Sequence, residues 1–161
     1  MLQSLSIRDF VIVDKLELDF QSGFTVLTGE TGAGKSILID ALSLALGARG
    51  EGGITRAGCE RAEIHASFNL KDNVAVTAWL AEQEISSEES ELLLRRVIYA
   101  DGRSRAFING TPATIQQLKE VGEFLVDIYS QNAHHSLLKL VTQRQVLDDF
   151  GALANVANDV A

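Results

Sequence analysis

Eight consecutive residues constrain this chain more than any others: Gly29-Glu30-Thr31-Gly32-Ala33-Gly34-Lys35-Ser36. They fit G-x-x-x-x-G-K-[ST], a loop whose backbone N–H groups cradle phosphate. With glycine at about 7% of residues, such a match arises by chance in roughly one of a few hundred chains of this size. The flanks agree with the motif. Phe24-Thr25-Val26-Leu27-Thr28 is β-branched and apolar and predicts a buried strand. From Ser36 to Leu46 the apolar residues Ile37, Leu38, Ala41, Leu42, Ala45 and Leu46 recur at helical spacing. A helix starting at the loop would add the partial positive charge of its N-terminus. The bland alternative, a glycine-rich turn between strand and helix, gives no reason for Gly-Lys-Ser at the helix start.

A phosphate loop raises the question of partners, and charge bears on it. The 161 residues carry a formal net charge of −8, so the chain as a whole gains little from neutralising a polyanion. Two local clusters run against that balance, Arg95-Arg96 and Arg103 with Arg105. The length suits one domain with a real core, and 46% apolar residues support it. Cys59 is the single cysteine, which suits a reducing compartment, and it reads as a small buried or loop residue. Met1-Leu2-Gln3-Ser4-Leu5 lacks the basic start of a signal peptide, and no apolar run is long enough to span a membrane. A cytoplasmic protein without membrane contact is the expectation.

Around the loop the patterns are mostly those of antiparallel strands. Leu5–Ile12 alternates loosely, and Lys15–Phe20 alternates apolar with charged as a half-exposed strand. Gly47–Gly53 reads as a loose loop, and Ala62–Phe68 as a strand. Asp72 or Asn73 can cap a short helix through Trp79, Leu80 and Ile85, followed by a polar loop at 86–91. Leu92–Tyr99, the turn at Asp101-Gly102 and Arg105–Ile108 form a hairpin, with a second turn at Asn109-Gly110. Thr114 and Gln117 have capping-box spacing and open a helix that Gly122 suits to end. Phe124–Tyr129 reads as a buried strand, and from about Val141 the chain turns helical to Ala161. Strand pairs before and after the phosphate loop predict an α/β P-loop NTPase of the ATPase-head type, a mixed sheet with an antiparallel β-ribbon layer.

Several stretches together resemble the RecN family, SMC-related bacterial DNA-repair ATPases. They are Leu5-Ser6-Ile7-Arg8-Asp9-Phe10, the loop Thr28–Ser36 with Ile39-Asp40-Ala41-Leu42, the hairpin Asp101–Gly110, and Asp127-Ile128-Tyr129-Ser130-Gln131-Asn132-Ala133-His134-His135. The resemblance runs to about Phe150. Ser130 replaces the family's usual glycine, and Tyr129 and Asn132 its usual histidines. Val11 stands where related heads often place a basic residue near the phosphates.

The motif assigns roles within the loop. Lys35 reaches the β- and γ-phosphates of ATP, and the Ser36 hydroxyl coordinates Mg²⁺. The backbone of Gly29, Glu30, Thr31, Gly32, Ala33, Gly34, Lys35, Ser36 and Ile37 surrounds the phosphates, with Gly34 needed because a side chain there would crowd them. The resemblance implies that Gln131 is the Q-loop residue touching metal and attacking water. It also implies an ABC/SMC-type head, residues 1–140, followed by a coiled-coil arm starting at 141–161. No Leu-Ser-Gly-Gly signature and no strand ending in Asp-Glu follows. The resemblance therefore implies an N-terminal half-head whose partners are its own C-terminal half, a second head in an ATP-bound homodimer, and DNA, in a nucleoid-associated setting.

Two other readings stay open on the residues alone. Phe124-Leu125-Val126-Asp127 imitates a Walker B strand, which would make the chain a self-contained NTPase or kinase; no glutamate follows Asp127. The chain could also be an assembly module that merely retains the loop. His134 and His135 are adjacent, and neighbouring side chains rarely converge on one ion.

Overall fold

The computed structural model describes residues 1–28, 34–50, 52–71, 73–85 and 90–126, together with Ile128, Gln143, Arg144, Leu147, Phe150 and Gly151. The chain divides into two compact units, Met1–Val126 and Asp127–Ala161.

The first unit is built on a six-stranded sheet. Its strands are β1 (Leu2–Phe10), β2 (Val13–Asp19), β3 (Arg61–Asn69), β4 (Glu91–Tyr99), β5 (Ser104–Ile108) and β6 (Thr111–Ala113), in the order β2-β1-β3-β4-β5-β6. Every pairing is antiparallel. The ribbon predicted from alternation is thus the whole described sheet. The helices are α1 (Lys35–Ala45), α2 (Val74–Glu82) and α3 (Ile115–Glu123).

The register sorts each strand into two faces. Leu5 pairs with Ala66, Ala66 with Leu94 and Leu94 with Ile108. One residue pair further on, Ile7, Ile64, Arg96 and Ala106 form a second row. All eight side chains are buried. The α1 residues Ala41, Leu44 and Ala45 are buried with them. The opposite face carries Arg8, Lys15, Glu63, His65, Arg95, Tyr99, Arg105 and Phe107 by the same alternation.

Local chemistry fixes the ends of the elements. Asn109-Gly110, at φ +49° and +79°, joins β5 to β6 with Ile108 facing Thr111. Positive φ at both central residues of a two-residue loop is the type I′ hairpin turn. The Asn109 carboxamide also accepts from the Leu93 N–H at 2.8 Å, which pins the turn against β4. Asn73 caps α2 by accepting from the Val76 N–H at 3.1 Å. The Thr114–Gln117 box forms as predicted, with Gln117 N–H on the threonine hydroxyl at 3.1 Å and Thr114 N–H on the glutamine at 2.9 Å.

Three readings of the chain change. Gly122 does not end α3; the helix runs on to Glu123 and Phe124 caps it. Gly122 instead lies against α1, where a Cβ would stand 3.1 Å from the Leu46 carbonyl. The loop from Gly47 is not loose at its start. α1 closes there in a Schellman motif, Ala48 N–H on Ser43 O at 3.0 Å and Gly47 N–H on Leu44 O at 3.2 Å, with Gly47 at φ +89°. A Cβ on Gly47 would meet α3 backbone, Lys119 N at 2.6 Å and Ile115 O at 2.9 Å. The two glycines are what lets the end of α1 press against α3. Finally, Phe124–Val126, the first half of the strand predicted over Phe124–Tyr129, is a turn, its N–H groups folding back on Val121 and Gly122, while Asp127 and Tyr129 lie outside the described residues.

In the second unit the Gly151 N–H donates to the Leu147 carbonyl at 3.0 Å, a helical hydrogen bond within the region predicted to be helical.

Candidate functional site

The phosphate-loop pattern enters the described structure at Gly34; Gly29–Ala33 lie outside the described residues. Gly34 is the N-cap of α1 at φ +91°, in the left-handed region. An added Cβ would meet nothing within 4 Å, so among the described residues the backbone angle, not crowding, is what requires glycine. The first intrahelical bond runs from the Leu38 N–H to the Gly34 carbonyl at 3.3 Å. The N–H groups of Lys35, Ser36 and Ile37 precede it and have no carbonyl within the helix to bond. The N-cap, Gly34, has no side chain to cap them, and no acidic residue occupies the first turn. The helix end carries a partial positive charge, with Lys35 as the first helical residue and the Ser36 hydroxyl exposed on the second. In general, a helix N-terminus favours an anion placed at it.

The strand predicted to lead into the loop is not formed. Phe24–Thr28 has no strand pairing, and Phe24, Val26 and Leu27 are 106%, 79% and 45% exposed. A strand buried on both faces needs neighbours at both edges. Among the described residues, no strand of the sheet lies beside this segment.

Beside β1 the backbone is strained. Asp9 and Val11 have φ of +51° and +52°, which for a β-branched valine is a rare conformation. The segment at 54–56 holds it there. The Val11 N–H donates to Ile54 O and the Arg56 N–H to Asp9 O, both at 2.8 Å. Arg56 also pairs with Asp14 at 3.3 Å. The Cys59 thiol donates to the Asp9 carboxylate at 3.2 Å, and that hydrogen bond pushes its pKa up, so the cysteine is no activated nucleophile. Nothing in the one-dimensional pattern signals this strain, because it arises between β1 and a segment more than forty residues away.

The structure also separates one predicted cluster. Arg95 and Arg96 are adjacent on β4 and therefore face opposite ways. Arg96 lies on the inner face at 3% exposure, Nη2 donating to the Ser104 hydroxyl at 3.1 Å and Nε and Nη1 without a hydrogen-bond partner among the described residues. It cannot contribute to a basic surface. Arg95 stays on the outer face, paired with Glu63 at 3.1 Å. Burial pushes the Glu63 carboxyl upward. The hydrogen bond from Arg95 and the charges of Arg61 and Arg95 more than offset it, so its pKa sits below the ordinary value.

Gln131, Asp127, His134 and His135 lie outside the described residues. Among the described residues no cluster of histidine, cysteine and acid has the makings of a metal site, and no helix is long and apolar enough to cross a membrane.

Comparison with known proteins places this geometry in a family. The model of the AAA domain matches residues 4–150. The DNA repair protein RecN of Vibrio cholerae is 46% identical over 156 residues, 97% of this chain and 28% of that protein. RecN of Bacillus subtilis is 42% identical over 150 residues, 93% of this chain and 26% of that protein. The chain thus spans about a quarter of the length of these relatives. Among solved structures, one of an SMC ATPase matches with a TM-score of 0.65 at 24% identity over 92% of this chain and 98% of that one. The Smc head domain of Pyrococcus furiosus, with an extended coiled coil and bound to the C-terminal domain of ScpA, matches with a TM-score of 0.60 at 26% identity over 76% of this chain and 32% of that one. The fold is that of a P-loop head of the ABC/SMC type, with its antiparallel layer in view. The chain belongs to the AAA domain family, and its relatives in sequence are RecN proteins.

Proposed function

We propose that the chain is the ATP-binding N-terminal segment of a RecN-like ATPase head acting in recombinational repair of DNA double-strand breaks. The observation that carries this is the start of α1, with Gly34 in the left-handed region as its N-cap, no acidic residue in the first turn, and Lys35 and Ser36 at the first two helical positions. Of the residues that would hold a polyphosphate and its metal, Gly34, Lys35, Ser36 and Ile37 are described. The backbone of Gly29–Ile37 would hold the phosphates, Lys35 would offset charge on the outer two, and the Ser36 hydroxyl and Gln131 would ligate Mg²⁺. Bound Mg²⁺ supplies further neutralisation of the phosphate oxygens. Gln131 would orient the attacking water, while the acid that activates it would come from the C-terminal half of the head.

On this reading the exposed Phe24–Leu27 segment is the strand that the rest of the head completes. A second head closes over the nucleotide to make a homodimer, DNA is the partner of the whole protein, and the protein works in the cytoplasm at the nucleoid. Residues 1–140 form the half-head and 141–161 begin the coiled-coil arm.

Lys35→Ala should weaken binding of a fluorescent ATP analogue by about 10- to 150-fold, the range for one charge-assisted hydrogen bond, and leave the melting temperature unchanged. Unchanged affinity would refute the assignment. Steady ATP turnover by this chain alone would refute the half-head reading and favour Asp127 as a Walker B residue.

A further inference from the structure

The outer face of the β4–β5 hairpin holds a second constellation, distinct from the start of α1. Arg95, Val97 and Tyr99 of β4 and Arg105 and Phe107 of β5 share this face, Arg95 opposite Phe107 and Val97 opposite Arg105. Each aromatic ring carries guanidinium. Arg95 lies over Phe107 at 5.2 Å, and Arg103 and Arg105 lie over Tyr99 at 5.6 and 5.9 Å. An open cavity of about 360 Å³ is lined by Tyr99, Arg103, Ser104 and Arg105. A guanidinium stacked on a ring has already lost much of its side-chain freedom, yet keeps its in-plane N–H donors for an oxyanion.

The charge at this corner opposes that of the chain. Arg61, Arg95, Arg103 and Arg105 against Glu63 and Asp101 leave a local balance of +2 within a chain of −8. The four cations are not equivalent. Arg61 and Arg95 both pair with Glu63, at 2.8 and 3.1 Å. Arg103 is held by Asp101 through Nε and Nη2, each at 2.7 Å. Among the described residues Arg105 has no carboxylate partner, and its side chain is exposed.

We propose that this hairpin corner is a phosphodiester-binding site for nucleic acid, in which Arg105 is the resident phosphate ligand and Asp101 holds Arg103 in reserve. The site deepens the reading of the chain as part of a DNA-repair head and rests on it for the choice of polyanion. Asp101 competes with the phosphate for the Arg103 guanidinium. Removing its charge therefore frees a second cation for the ligand, and an acidic residue in the site acts as a brake on it.

The test is fluorescence anisotropy of the 161-residue chain, free of nucleotide, with a labelled oligonucleotide of roughly 20 residues as single strand and as duplex, at about 50 mM salt. With a salt exponent of about 0.7 per contact on single strands, each phosphate contact contributes about eightfold at this salt. Arg105→Ala should weaken binding by about that factor and flatten the salt slope by about 0.7. Arg105→Lys, which keeps the charge but loses the planar stack, should fall between the two. Asp101→Asn should tighten binding several-fold. Arg105→Ala within twofold of the parent, Asp101→Asn that binds more weakly, or competition by polyglutamate as effective as unlabelled DNA would each overturn the proposal. The duplex arm shows which form of nucleic acid the corner prefers, and inorganic phosphate at equal phosphate concentration should not compete. An ATP analogue titrated into Arg105→Ala should bind as to the parent. Loss of oligonucleotide effects with intact ATP binding sinks only this site. Absent ATP binding with the Arg105 and Asp101 effects intact sinks only the reading of α1.

Discussion

Gly47→Ala should be among the most damaging single-methyl substitutions in the first unit. Two separate costs fall on it. Its φ of +89° is a conformation that costs an L-residue roughly 1–2 kcal/mol. The added Cβ would also sit 2.6 Å from Lys119 N, 2.9 Å from Ile115 O and 2.9 Å from Lys119 Cα. All three are backbone atoms of α3, so no side chain can rotate away, and α1 and α3 must part. Forced overpacking of this kind costs typically 1–3 kcal/mol. The total, about 2–5 kcal/mol, is a large share of the roughly 5–15 kcal/mol that holds a domain folded. Gly53 and Gly52 separate the two terms. Gly53 has φ +84° with nothing within 4 Å, so Gly53→Ala should show only the backbone cost, about 1 kcal/mol after the gain from a stiffer unfolded chain. Gly52 is unhindered and not at positive φ, and Gly52→Ala should be close to neutral. Urea unfolding followed by far-UV circular dichroism reads all three. With a slope of ~1–3 kcal/mol per molar urea, the Gly47→Ala midpoint should drop by about 1–2 M. Equal midpoints for Gly47→Ala and Gly53→Ala would refute the close approach of α1 and α3.

Two more expectations concern buried charge. Arg96→Met keeps the side-chain length and removes a guanidinium with two unpartnered nitrogens, so it should raise stability by about 1–3 kcal/mol; a loss in urea unfolding would show that those nitrogens are satisfied. Glu63 is protonated less readily folded than unfolded, because the bond from Arg95 and the Arg61 and Arg95 charges outweigh its burial. Its contribution to stability is therefore complete above its ordinary value of 4.5 and fades as pH falls through the lower folded value. Glu63→Gln should flatten the acid limb of a stability-versus-pH curve, and an unchanged limb would assign acid unfolding to other carboxylates.

What the sequence made legible was whatever depends on near neighbours. The Asn73 cap, the Thr114–Gln117 box, the Asn109-Gly110 turn and the alternation of β2 and β3 each involve residues within a few positions of one another. The start of α1 is local too, with Gly34 as its N-cap and Lys35 and Ser36 opening the helix. What was not legible depends on distant partners. Gly47 and Gly122 are glycines because of a helix contact across some seventy residues of sequence. Gly122 near a helix end looks locally like a terminator. Adjacency groups Arg96 with Arg95, whereas strict alternation through Leu92, Leu94 and Ile98 puts it inside. Phe24–Thr28 has the composition of a core strand, but composition cannot supply the neighbours such a strand needs. Gln131 rested on resemblance and lies beyond the described residues, as do Asp127 and the first five residues of the phosphate loop.

The two outer strands of the sheet have a consequence for how the molecule can grow. β6 is three residues long and carries Pro112, which has no N–H to offer a further strand. β2 presents Lys15, Glu17 and Asp19 along the opposite margin, and a charged margin resists pairing with a copy of itself. Extension of the ribbon sideways is discouraged at both ends, which protects an exposed antiparallel sheet from stacking into fibrils. Among the described residues, Phe24–Leu27 is a stretch of core composition with no strand beside it, so the devices that keep copies apart at the two margins leave this stretch as the place where a further strand could add.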